Sequence, residues 1–393
     1  MGIGRLKAAA VDEVDAQRGR LVELSHRIHD NPELGFQETK ASCWLGDYLD
    51  SHGFQVESGI CQLPTASRAR YGTNKPAIAF LAEYDALPEM GHACGHNIVG
   101  VAAAGAAVAV RRAIDEKGGT AVVMCTPAEE SDGGKILMAQ RGGFDNLDAA
   151  MLVHPAVMNV ASVPALACIG LEVEFFGKAT HASGYPEEGI NALDAMIQAF
   201  VGIGSLRQHI DERARIHGII TDGGEAANIV PAHTSATFLI RAEDRSYLRE
   251  LSQKVLNCFR AASMATGARL AYNWGEAFNP IVTNHALAAA FSTNMESLGR
   301  DMSPIAERGY GSSDMGNVCT LVPCIHAMVA IAPSTVMGHT PEFSEAAASK
   351  SGDQGLIDAA KAMAMTFVDL VATPDLQRRV TREFAHARPG KDA

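Results

Sequence analysis

Three short, almost unbroken apolar runs constrain this chain most: Ala77–Ala82 (AIAFLA), Thr120–Cys125 (TAVVMC) and Ala149–Val153 (AAMLV). A strand that is apolar on both faces must be covered on both, which is the condition of strands in parallel or mixed sheets flanked by helices. The intervening segments read as helices: Ile98–Ile114 is Ala-rich, and Lys135–Gln140 is helical in part. Residues 18–50 carry helical periodicity, broken by the turn signal Asn31-Pro32-Glu33. In open α/β sheets, sites form beyond the carboxyl ends of the strands. Asp85 follows the first run, Glu129 and Glu130 the second, and His154 the third.

The pattern changes near residue 168. Leu171, Val173 and Phe175 alternate with Glu172 and Glu174, as in a strand with one wet face. A helix is expected over residues 190–207, strands near 216–221 and 234–242, a helix over 246–266, and a last strand near 269–274. That order, βαββαβ, is a split-βαβ arrangement. At 393 residues the chain exceeds one compact core. The expectation is an α/β catalytic domain built on a mixed open sheet flanked by helices, formed by residues 1–168 and 284–393. A smaller α+β, ferredoxin-like domain over 169–283 is inserted into it.

A net charge of −12 disfavours a nucleic-acid surface, so no nucleic-acid partner is expected. The longest apolar run, about Ile98–Val110, falls short of the roughly 20 residues that span a bilayer, so no membrane association is expected. The N-terminal residues lead into charged sequence instead of a signal-peptide core, which points to a cytoplasmic protein. Eight cysteines with no CxxC pair read as free, mostly buried thiols, with Cys94 the exception.

The exception stands in Gly91-His-Ala-Cys94-Gly-His96-Asn97. A thiolate and an imidazole two residues apart can converge on one borderline cation. Glu130, His154 and His339 complete a candidate ligand set. Taken singly, each has an ordinary explanation: a solvated Glu-Glu pair, a histidine before proline, a turn histidine. Jointly they close a coordination count. Two roughly four-coordinate ions need about eight bonds. A bridging Cys94 gives two, the other four residues one each, and a bridging water two. Glu129, beside Glu130, is placed to take a proton from a water acidified by the ions and pass it to a leaving nitrogen.

With these pieces assembled, the chain resembles the amidohydrolase branch of the dimetal peptidases that includes aminoacylase, carboxypeptidase G, hippurate hydrolase and auxin-conjugate hydrolases. The matching segments are His29–Phe36 (HDNPELGF), Asp85–Pro88 (DALP), Cys94-Gly-His96, Pro127–Glu130 (PAEE), Gly177–Ala182 (GKATHA) and Gly338–Phe343 (GHTPEF). The resemblance implies that Cys94, His96, Glu130, His154 and His339 hold two divalent ions, zinc or manganese, with Glu129 as general base and Asp85 orienting a ligand histidine. It implies that the inserted domain is a lid and dimerisation domain. His181 would reach the active site of the other subunit of a homodimer and stabilise the oxyanion, and Asn228 and Arg241 would bind substrate. An Arg fork suits a free carboxylate.

Asn97, Glu83-Tyr84 and Gly311–Val318 (GSSDMGNV) depart from hippurate-hydrolase-like members towards aminobenzoyl-glutamate hydrolase and β-alanyl-lysine-type dipeptidases. The expected activity is metal-dependent hydrolysis of the amide bond in an N-acyl amino acid or dipeptide-like substrate by a metal-bound hydroxide. The competing reading is a non-catalytic dimetal protein that binds a peptide or amino-acid conjugate.

Overall fold

The two longest of these apolar runs form strands over the expected residues, and every side chain in both is buried. The computed structural model describes residues 2–131, 133–305 and 311–387. The chain opens with α1 (Ile3–His29) and α2 (Thr39–Asp50), followed by β1 (Gln55–Ser58), β2 (Ser67–Tyr71) and β3 (Ala77–Ala82). Helices α3 (His96–Ala109) and α4 (Arg111–Lys117) lead to β4 (Thr120–Cys125), α5 (Gly134–Gln140) and β5 (Ala149–Ala156). Next come β6 (Ala167–Phe176), α6 (Ala192–Leu206), β7 (Arg215–Asp222), β8 (His233–Ala242), α7 (Arg245–Thr266) and β9 (Arg269–Phe278). The chain ends with α8 (His285–Ser297), α9 (Met315–Cys319), β10 (Cys324–Ala330), α10 (Pro341–Ala347), α11 (Lys350–Ala372) and α12 (Pro374–Ala387).

Two units result, one from the residues up to Pro164 together with those from Ile281 onward, the other from Ala165–Pro280. The boundaries fall a few residues earlier than the pattern change implied. Ala167 and Cys168 already pair with β8, while Ile281 is buried in the larger unit's segment.

The larger unit holds a six-stranded mixed sheet in the order β1-β2-β4-β3-β5-β10. Strands β4, β3, β5 and β10 run parallel, while β1 and β2 add an antiparallel edge. Every residue of α3 is buried, so this helix is apolar all round and lies in the core against α1, α11 and β3. Small residues permit the close approach. A Cβ on Gly100 would lie 2.7 Å from the Glu83 carbonyl oxygen. The apolar stretch is longer than the sequence implied: α3 and α4 together span 22 residues, but 89% of the most apolar window is buried inside the protein, as in a core helix.

Two further expectations need correction. His154 and Pro155 lie within β5, not after it. Pairing of β5 with β3 ends at Met151, so at Pro155 only the β10 side is bonded and the missing N–H leaves no ladder partner stranded on the other. The cysteines are not all free either: Cys319 and Cys324 form a disulfide, because the turn between α9 and β10 brings their Cα atoms to 5.4 Å. Of the remaining six, Cys125 and Cys168 are buried, Cys43 is exposed, and Cys61, Cys94 and Cys258 are partly exposed.

The smaller unit is the βαββαβ arrangement, an antiparallel sheet ordered β7-β8-β6-β9. Ala236, Phe238 and Ile240 of β8 point to one face and pack with Ala195, Ala199 and Ile203 of α6 and Leu251, Val255 and Phe259 of α7.

Asn97 has a structural task at the start of α3. Its Nδ2 donates to Ser25 Oγ at 2.9 Å and to the Ala347 carbonyl at 3.2 Å, wholly buried. A carboxylate there would lose the bond to Ala347 and face its carbonyl oxygen, with only the Ser25 hydroxyl able to turn and donate to it. Asn97→Asp should therefore cost about 2–4 kcal/mol, read as a lower urea midpoint with an unchanged slope.

Candidate metal centre

Asp85 organises the site. It follows β3, is buried, and accepts from His96 Nδ1 through Oδ1 at 2.9 Å and from the Glu130 backbone N–H through Oδ2 at 2.9 Å. With Nδ1 donating to Asp85, Nε2 is the atom His96 offers to a cation. Until one binds, burial lowers the His96 pKa, but Asp85 and Cys94 outweigh it and hold the ring well above its ordinary value. Burial raises the Asp85 pKa, but His96 and the Glu130 N–H outweigh it and hold the group below its ordinary value. His154 is fixed the same way: Nδ1 donates to the Pro155 carbonyl at 2.7 Å, leaving Nε2 3.3 Å from Cys94 Sγ. Burial and neighbouring His96 push His154 down to about 3, so it is neutral.

Local backbone chemistry sets the rest. Gly95 has φ +81°, and a Cβ there would lie 2.4 Å from Pro155 Cγ, so only glycine lets Cys94 and His96 approach the His154 strand. His339 has φ +61°, and its N–H donates to the Ala93 carbonyl, tying it to the Cys94 loop. The following Thr340 caps α10 through the Phe343 N–H, with Pro341 in the first turn. The Pro-Glu of the N-terminal motif is likewise structural. The Glu33 carboxylate accepts from the Lys40 and Ala41 N–H groups, and its carbonyl accepts from Ala86 N–H.

The five predicted ligands converge. Donor atoms of Cys94, His96 and His154 lie within 4.8 Å of one another, and so do those of Cys94, Glu130 and His339. Cys94 belongs to both sets. His339 Nε2 is 3.5 Å from Glu130 Oε1, and His96 Nε2 is 3.9 Å from the same oxygen. Two ligands on one tetrahedral zinc sit roughly 3.3–3.8 Å apart. His96 Nε2 and Glu130 Oε1 are buried with no hydrogen-bond partner, a costly state unless a cation satisfies them. The two donor groups, which have Cys94 in common, would fit two divalent ions.

Glu129 also reaches this cluster, its carboxylate lying within 4.8 Å of the His96 and Glu130 donor atoms. Burial, then Glu83 and Asp314, raise its pKa, and Lys135 and His96 oppose them. Its Oε1 accepts from Ser313 Oγ at 2.8 Å.

The smaller unit carries the other predicted residues. His181 is exposed, and its Nδ1 accepts from the backbone N–H of Gly184 at 3.1 Å and of Ser183 at 3.3 Å. Those two donors place the ring proton on Nε2, which makes His181 an outward hydrogen-bond donor. Asn228 is adjacent: its carbonyl accepts from Ala182 N–H. Arg241 lies on β8 opposite Arg215 and Cys168.

Fold and donor set define a metal-dependent hydrolase of amide bonds. Residues 168–265 match the M20 peptidase dimerisation domain. The chain is 36% identical to the Xaa-Arg dipeptidase of Mus musculus, over 96% of this chain and 92% of that one. It is 33% identical to a subunit of the p-aminobenzoyl-glutamate hydrolase of Escherichia coli, over 73% and 64% respectively. The solved structure of a dinuclear metal binding M20 peptidase from Bacillus subtilis shares the fold, with a TM-score of 0.71 at 19% identity, covering 91% of this chain and 99% of that one. The chain belongs to the M20 peptidase family, and it is an enzyme, not a non-catalytic binder.

Several buried polar groups here had no site role in the sequence reading. Lys135 sits in KILMAQ and Glu83 directly behind AIAFLA; a charge continuing a fully buried strand was the available signal for the latter. His326, within the apolar β10 (CIHAMVA), has neither ring nitrogen bonded and lies edge-on to His154 at 5.9 Å. Burial pushes it down to about 4. Glu38, before α2, is fully buried and accepts the Ala128 N–H at 2.8 Å, holding the loop one residue before Glu129. Ala128 itself has φ +60°, a strained conformation for a residue with a Cβ.

Burial, reinforced by Asp85, raises Glu38 from 4.5 to about 7. A folded-state pKa above the unfolded one means the folded protein binds this proton more tightly. The stability it contributes is fully present below the unfolded value and is lost as pH rises through the folded one. Glu38→Gln, which mimics the neutral carboxyl, should match wild type at acid pH and exceed it at mildly alkaline pH by up to roughly 3 kcal/mol. Denaturant midpoints of both proteins across that pH range give the comparison.

Proposed function

We propose that this enzyme cleaves dipeptides with a free C-terminal carboxylate, a basic C-terminal residue being the first class to test, and that it works as a zinc-loaded homodimer. The observation that carries the reading is Glu129, a partly buried carboxylate held by Ser313 within reach of donor atoms of His96 and Glu130. The substrate choice is supported by 36% identity, along nearly the whole chain, to a dipeptidase that acts on Xaa-Arg.

When bound, the two ions supply Lewis acidity to the scissile carbonyl and acidify water. Cys94, His96, Glu130, His154 and His339 would hold them, and a thiol common to both donor groups favours zinc over manganese. Glu129 accepts the proton of the attacking water and delivers it to the leaving amine. Asp85 keeps His96 in the tautomer that leaves Nε2 bare. Arg241 and Asn228 take the substrate carboxylate and backbone, and the Nε2–H of His181 is the donor suited to the developing oxyanion.

The smaller unit supports dimerisation. Its edge strand β7 exposes Ile219 and Ile220, and α6 exposes Ile197 and Val201. Unpaired apolar edges of this kind call for a partner.

Glu129→Gln should retain both ions by elemental analysis yet lose about 10³-fold or more in kcat on a dipeptide panel; near-wild-type turnover would refute the base assignment. If His181 serves the partner's site, mixing inactive His181→Ala with inactive Glu129→Gln should restore up to about a quarter of wild-type turnover by subunit exchange. No recovery from verified mixed dimers would place His181 in its own subunit's site or outside catalysis.

A further inference from the structure

Lys135 has no exposed side-chain surface, a rare state for lysine. Its ammonium lies 2.5 Å from Glu83 Oε1 and 2.7 Å from Asp314 Oδ1, and its backbone N–H donates to Asp314 Oδ2 at 2.9 Å. One carboxylate thus grips α5 by both main chain and side chain. Carboxylate oxygens of Glu83, Asp314 and Glu129 lie within 4.8 Å of one another. Three acids at that spacing, Glu83 and Asp314 among them fully buried, repel, and the Lys135 ammonium supplies the countercharge.

The clamp joins two segments that meet at Glu129. On one side, Gly134 begins α5 so close to the Glu129 loop that a Cβ would lie 1.9 Å from the Pro127 carbonyl oxygen. On the other, Asp314 is preceded by Ser313, whose Oγ donates to Glu129 Oε1 at 2.8 Å and accepts from Met315 N–H at 3.2 Å. The last torsion of a glutamate side chain is broad and roughly two-fold, so a single fixed donor decides where its oxygens point. Stability does not explain three buried charges, because apolar residues of similar volume are often as stabilising as a buried ion pair.

We propose that Lys135, gripped by Asp314 and Glu83, is a positioning residue for Glu129 and acts through the Ser313 hydroxyl. The clamp holds α5 and the start of α9 together so that Ser313 restrains Oε1 and orients the carboxylate towards the attacking water. This rests on Glu129 being the base.

The test uses full-length, metal-reconstituted protein and a dipeptide that wild type cleaves. Ser313→Ala should lower kcat about 10–100-fold, with KM, metal content and thermal midpoint close to wild type, and Ser313→Thr should recover most of the loss. Lys135→Met should lower kcat similarly, and adding Ser313→Ala to it should cost little more, since coupled residues are non-additive. Should Lys135→Met fail to fold, Asp314→Asn takes its place in the cycle. The proposal is overturned if Ser313→Ala turns over like wild type, if its loss lies in KM or metal content, or if the two losses multiply. Turnover retained by Glu129→Gln would instead sink the base assignment, a result distinct from an active Ser313→Ala in an enzyme that Glu129→Gln inactivates.

Discussion

The site depends on Asp85. Its two carboxylate oxygens hold the His96 ring and the Glu130 main chain, residues that arrive from different segments, one opening α3 and the other in the loop after β4. A buried carboxylate is costly on its own, and here each oxygen has a donor of good geometry, one of them an imidazole. The same contact fixes a tautomer and sets a loop. Without it, neither His96 Nε2 nor Glu130 Oε1 would be aimed at a shared point, and the parallel strands would end in an ordinary polar rim.

Around that contact the larger unit accumulates unfavourable local features. Ala128 and His339 have left-handed backbones, Glu38 is a carboxyl buried without charge compensation, and Lys135 joins carboxylates in a dry interior. Such strain persists only where the surroundings over-determine it. Those surroundings are the fully buried α3, its glycines packed on Glu83 just after β3 and on Leu21 of α1, and strands whose side chains all lie inside. The core's rigidity is what allows a loop residue such as Glu129 to be held by single hydrogen bonds.

Much of the architecture was legible from residue patterns. Period-free apolar runs marked β3 and β4, and alternation at Leu171, Val173 and Phe175 marked the second sheet. The Cys94-Gly95-His96 spacing and the Glu129-Glu130 pair pointed to residues that the fold brings together. The extension of β5 through Pro155 was hidden because a proline demotes a strand unless one knows which of its edges is bonded. The Cys319–Cys324 disulfide was hidden because spacing alone does not show that a turn brings two Cα atoms within bonding distance.

Sequence by itself determined which residues could ligate, because thiol, imidazole and carboxylate chemistry belongs to the side chain, and which runs must be buried, because hydrophobicity does too. Tertiary structure alone decided which atoms those residues present. Asp85 and the Pro155 carbonyl choose the bare nitrogens of His96 and His154, and backbone N–H groups choose the donor face of His181. It also decided that Glu83 after β3, Lys135 in α5 and the Ser313-Asp314 pair before α9 gather around Glu129. Hydrogen bonds and buried charges act over a few ångströms, and only the folded chain brings such distant residues within that range.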